Sequence, residues 1–96
     1  MKLKDIKNET VKKIIKTALQ NKFTVTVANI KNAEQGTTYF RIRKGGMLGW
    51  DVIAALAKRL GTNTRGLIGN NIESTDPSFF VFDTSIIISD PKTRTN

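Results

Sequence analysis

Apolar side chains recur along residues 3–20 as Leu3, Ile6, Val11, Ile14, Ile15, Ala18 and Leu19. That spacing of three and four draws one stripe down a cylinder and predicts an amphipathic helix. Asn8 or Thr10 can interrupt it, so the pattern also accommodates a short leading segment before a helix from about residue 9. Lys12, Lys13 and Lys16 lie off the stripe, with Lys7 nearby, on a solvated face that can give phosphate contacts without reading sequence. At Phe23 the period changes from helical to alternating. Phe23-Thr24-Val25-Thr26-Val27 predicts a half-buried strand with Phe23, Val25 and Val27 on one face. Residues 37–43 repeat the alternation, with Phe40 and Ile42 on one side and Tyr39, Arg41 and Arg43 on the other. The polar stretch 29–36, with a glycine at its end, makes an antiparallel hairpin the simplest connection.

Gly45, Gly46 and Gly49 then mark a tight passage from strand to helix. A second helical stripe follows from Trp50, Ile53, Leu56 and Leu60, with Trp50 expected as a core anchor and Asp51 placed to complement the helix dipole. Gly61 sits where a left-handed cap belongs. Thr62, Asn63 or Thr64 can each cap a third helix through a side-chain oxygen. That helix would carry Leu67, Ile68 and Ile72 inward and Arg65, Asn70 and Asn71 outward. Pro77 disfavours helix at Asp76 and closes this region.

Phe79-Phe80-Val81-Phe82 and Ile86-Ile87-Ile88 are apolar at successive positions. Such runs belong to strands buried on both faces, or to a strand in a homodimer interface through residues 78–88. Asp83-Thr84 between them reads as a hairpin turn, with a single bent strand as the alternative. The expected fold is α+β, in the order α-β-β-α-α-β-β. It forms a single small domain over residues 1–96 with a polar tail from about 90 to 96.

Composition narrows the function more than the fold. The 96 residues contain no cysteine and no histidine, which removes thiolate chemistry, disulfides and the commonest general base and metal ligand. Eight acidic residues are scattered along the chain, so a non-enzymatic protein without cofactor or metal is expected. Sixteen Lys and Arg against those eight acids give a formal net charge of +8. A domain this basic is expected to attract polyanions by counterion release. No apolar run approaches the ~20 residues of a membrane span, and the N-terminus lacks the apolar core of a signal peptide, so a cytoplasmic protein is expected.

Leu56-Ala57-Lys58-Arg59-Leu60-Gly61 resembles the first helix and turn of helix-turn-helix and winged-helix DNA-binding proteins, and the resemblance covers residues 53–72. It implies a helix-turn-helix or winged-helix-like core bound to double-stranded DNA. Asn63, Thr64, Arg65, Asn70 and Asn71 would then face the groove, and Lys58 and Arg59 would hold phosphates. Gly66 and Gly69 within the second helix depart from the pattern, each unfavourable by about 1 kcal/mol relative to alanine.

The hairpin offers a second surface. Tyr39 among Arg41, Arg43 and Lys44 can stack on a base while the cations hold phosphates. The polar tip around Lys31 and Asn32 resembles the wing of winged-helix proteins, although it precedes the helix pair. Two other readings stay open. The element order, with Ile68-Gly69-Asn70-Asn71-Ile72, resembles a KH-like module for RNA or single strands, without the basic residue of that loop. The apolar 79–88 segment also suits a small interaction or inhibitor module that docks an acidic protein surface.

Overall fold

The computed structural model describes residues 6–31, 36–68 and 79–90. Its elements run α1 (Glu9–Gln20), β1 (Thr24–Ala28), β2 (Thr38–Arg43), α2 (Gly49–Arg59), α3 (Thr64–Ile68), β3 (Phe79–Val81) and β4 (Ile86–Asp90). This is the α-β-β-α-α-β-β order that the sequence predicts. The four strands form one antiparallel sheet in the order β1-β2-β4-β3.

Helix α1 starts at the later of its two possible origins. The Asn8 side chain accepts from the amides of Thr10 at 2.9 Å and Val11 at 3.2 Å, a side-chain cap on donors that the first turn leaves unpaired. Val11, Ile14, Ile15 and Ala18 are buried as the stripe requires, but Leu19 at its edge is exposed. The helix ends in a Schellman turn. Phe23 N–H reaches the Ala18 carbonyl at 2.9 Å and Lys22 N–H reaches Leu19 at 3.2 Å, with Lys22 at φ 64°.

Strand β4 lies between β2 and β3, which explains its continuous apolar run. Ile86 and Ile88 face the helices and Ile87 faces the other way, yet all three are buried. One chain therefore accounts for the burial of these isoleucines without a second subunit. Two hairpins build the sheet, β1–β2 and β3–β4, the latter closed by Phe82 N–H on the Ser85 carbonyl at 2.8 Å. Residue 90, expected to begin a polar tail, instead closes β4, and Asp90 is 2% exposed.

The core fills the space between the sheet and helices α1 and α2, around Ile14, Ile15, Phe40, Ile42, Ile53, Leu56 and Ile86. Val27 shares this face by register but stays 57% exposed on the edge strand, contrary to the expectation that it is covered. Trp50 is the larger departure, 62% exposed rather than a core anchor. The reason lies one residue earlier. Gly49 is buried, its N–H donates to the Asp83 carbonyl at 2.8 Å, and a Cβ there would collide with the Phe82 and Ser85 carbonyl oxygens. Glycine takes the inward position so that α2 can touch the β3–β4 turn. Val52, Ile53, Leu56 and Ala57 complete the buried stripe, and Trp50 is turned outward.

Candidate nucleic-acid interface

Alternation along β2 sends Phe40 and Ile42 into the core and Tyr39, Arg41 and Arg43 to the helix-free side of the sheet. Register then decides their neighbours. Arg41 stands between Thr26 of β1 and Ile87 of β4, Tyr39 between Ala28 and Ser89, and Arg43 beside Thr24. On β3, Phe80 pairs with Ile87 and shares the same face.

The result is an aromatic and cationic surface. Tyr39 and Phe80 lie with ring centroids 6.5 Å apart at an interplanar angle of 51°. The Arg41 guanidinium carbon sits 5.8 Å from the Phe82 centroid, within reach of a cation–π attraction, and its Nη1 donates to Ser85 Oγ at 2.9 Å. Phe80 and Phe82 remain 46% and 49% exposed. Ile30, Tyr39, Phe80 and Phe82 enclose a pocket of about 270 Å³ floored by Ile87. Arg43 is exposed, and no carboxylate among the described residues pairs with it or with Arg41.

The other expected site residues fall elsewhere. Lys44 turns back onto the end of α1, donating to the Asn21 carbonyl at 3.1 Å with its Nζ 4.9 Å from the Phe23 ring centroid. Arg59 meets the same residue, Nε to Asn21 Oδ1 at 3.1 Å. Both cations thus sit at the negative end of the α1 dipole, where they are stabilised. Lys31 is exposed just past β1, and Lys58 is exposed near the end of α2.

The turn between α2 and α3 has the local chemistry that its sequence predicts. Gly61 adopts φ 78°, Gly61 N–H bonds the Lys58 carbonyl at 3.1 Å, and Thr62 N–H bonds the Ala57 carbonyl at 3.0 Å. Asn63 Oδ1 accepts from Gly66 N–H at 2.8 Å, so this asparagine spends its carbonyl oxygen as a helix cap. Thr64 is half-buried and Arg65 exposed. Asn70 and Asn71 lie outside the described residues, as does Asn32 at the hairpin tip. Because α3 packs on α2 and Leu67 on the core, the helix pair and the Arg41 face occupy opposite sides of the sheet.

Alternation along residues 37–43 marks Tyr39, Arg41 and Arg43 but does not bring in Phe80, Phe82 and Ser85 as their neighbours. Alternation in 79–82 already puts both phenylalanines on one face, opposite Phe79 and Val81. What it lacks is the pairing of β4 with β2, a contact across more than forty residues of chain. Among the described residues no helix is long and apolar enough to cross a membrane, and no group of acidic side chains could hold a metal ion. No protein-family model, curated protein or solved structure matches the chain.

Proposed function

We propose that the chain is a non-enzymatic DNA-binding protein whose principal contact is the helix-free face of the sheet. The observation that carries this reading is the row Tyr39, Arg41 and Arg43 on one face, beside exposed Phe80 and Phe82. Cations at strand spacing neutralise successive phosphates, and the aromatic rings offer flat apolar surface to bases. A net charge of +8 supplies long-range attraction to the same partner.

A second reading places α3 in the major groove of a duplex. The Gly61 turn, the Asn63 cap and the exposed Arg65 favour it. The two surfaces face apart, so each is testable separately. A labelled DNA oligonucleotide is titrated over a range of salt with wild type, Arg43→Ala and Arg65→Ala. Loss of one phosphate contact flattens the salt dependence by about 0.7–0.9 in log–log slope. That change in Arg43→Ala, with Arg65→Ala like wild type, supports the sheet face. The reverse pattern moves the contact to α3. Absence of binding even at low salt removes the nucleic-acid reading and leaves a module that docks an acidic protein.

A further inference from the structure

We infer that the pocket between Ile30, Tyr39, Phe80 and Phe82 receives one unpaired nucleobase, so that the protein prefers single strands to duplex and reads the base rather than the sugar. This rests on the nucleic-acid reading above and goes further, because it assigns strandedness to one feature of the sheet face.

Three observations carry it. The pocket, at about 270 Å³, is slightly smaller than the ~300 Å³ at which small-molecule sites begin, a size suited to one flat ring. Its walls are three aromatic rings and an isoleucine over Ile87, and two of those rings are nearly half exposed although they are large and apolar. A cation waits at the rim. Arg41 is held against Phe82 and Ser85 rather than swinging in solvent, so little further order is lost when it meets a phosphate.

Base pairing decides who can use such a site. In a duplex the base faces are stacked and only their edges reach the grooves, so an aromatic pocket gains nothing from paired DNA unless a base is flipped out. In a single strand the ring is available to stack, and the backbone that follows it can run along β2 past Arg41 and Arg43. Among the five lining side chains, only the Tyr39 hydroxyl can hydrogen-bond. The pocket therefore holds little with which to select a 2′-hydroxyl, and DNA and RNA of one sequence are expected to bind alike.

The test is fluorescence anisotropy with a labelled oligothymidylate of about 16 nucleotides, the upper end of single-strand site sizes. Its duplex with oligoadenylate and the matching oligouridylate serve as comparisons. Single strands are expected to bind about tenfold tighter than the duplex, the scale of one base–aromatic stack. Phe80→Ala should remove most of that preference while leaving duplex binding within about twofold, since it removes no charge and leaves Arg41 against Phe82. Arg43→Ala should weaken both forms together.

A Trp50→Phe, Phe80→Trp protein provides a direct signal, because a base stacked in the pocket quenches its one tryptophan and a duplex does not. Equal affinity for single strand and duplex, with Phe80→Ala neutral and the tryptophan unquenched, overturns the base pocket but leaves nucleic-acid binding standing. Strong preference for RNA over DNA overturns the sugar-blind assignment. Failure to bind any of the three probes sinks the parent reading instead.

Discussion

Arg41 reaches from β2 across the ring of Phe82, its guanidinium carbon 5.8 Å from the centroid, and ends on the Ser85 hydroxyl. One side chain thereby ties the first hairpin to the turn of the second. Ser85 is 3% exposed, so its hydroxyl relies on partners inside the protein. Truncating the arginine removes the cation–π contact and one hydrogen bond to this buried group. Arg41→Ala is expected to lower unfolding free energy by about 1–3 kcal/mol. Urea denaturation should show a lower midpoint with an unchanged slope. Arg41→Lys keeps the charge but not the planar donor array, so it should recover only part of the loss. Full recovery by lysine would mean that charge alone matters at this position.

Gly49 supports the same corner from the helical side. Its missing Cβ lets the first turn of α2 meet the Phe82 and Ser85 carbonyls, which are backbone atoms and cannot rotate away as a side chain would. Gly49→Ala is expected to destabilise by about 3 kcal/mol, the upper part of the range for overpacking. Gly46 is the control, for a Cβ there meets nothing within 4 Å. Gly46→Ala should be neutral or slightly stabilising, through the unfolded chain. Thermal midpoints of the two variants separate these outcomes, at roughly 4–8 °C per kcal/mol for a domain of this size.

This corner also marks where the sequence stops being legible. Element order, the first hairpin, the Gly61 turn and the face carrying Tyr39, Arg41 and Arg43 all follow from short-range rules of period and turn chemistry. A helical stripe counts large apolar residues and so points Trp50 inward, whereas the inward position belongs to Gly49, chosen for the absence of a side chain. Asp90 reads locally as the start of a polar tail because its partners, the amides of Lys7 and Asn8, are more than eighty residues away in sequence. Half of the candidate site was hidden for the same reason. Phe80, Phe82 and Ser85 join Arg41 only through strand pairing between β2 and β4, which no local pattern specifies.

The two Schellman turns form a natural experiment in cap chemistry. Gly61 ends α2 in a left-handed conformation at φ 78°, and Lys22 does the same for α1 at φ 64°. A Cβ in that region is unfavourable by roughly 1–2 kcal/mol, partly offset by the greater unfolded-state entropy of glycine. Lys22→Gly is therefore expected to stabilise by about 0.5–1 kcal/mol, and Gly61→Ala to destabilise by about 1 kcal/mol. Both effects should be read as shifts in urea midpoint. A destabilised Lys22→Gly protein would show that the lysine side chain contributes more than its backbone strain removes.

Asp90 fastens the start of the chain to its last described strand. Its Oδ2 accepts from Lys7 N–H and its Oδ1 from Asn8 N–H, both at 2.9 Å, and Asn8 in turn caps α1. The carboxylate therefore acts on the helix at one remove, by fixing the residue that caps it. Asp90→Ala removes the acceptors of both bonds, an expected loss of about 3 kcal/mol. Asp90→Asn keeps the shape but can offer only one acceptor oxygen, so it should retain part of the stability. Hydrogen exchange gives the sharper measurement. In Asp90→Asn the amides of Lys7 and Asn8 should exchange faster, while those of Ile14 and Ile15 keep wild-type rates up to the limit set by global unfolding. Uniform acceleration along α1 would mean that the whole helix, rather than its leading segment, depends on this clasp.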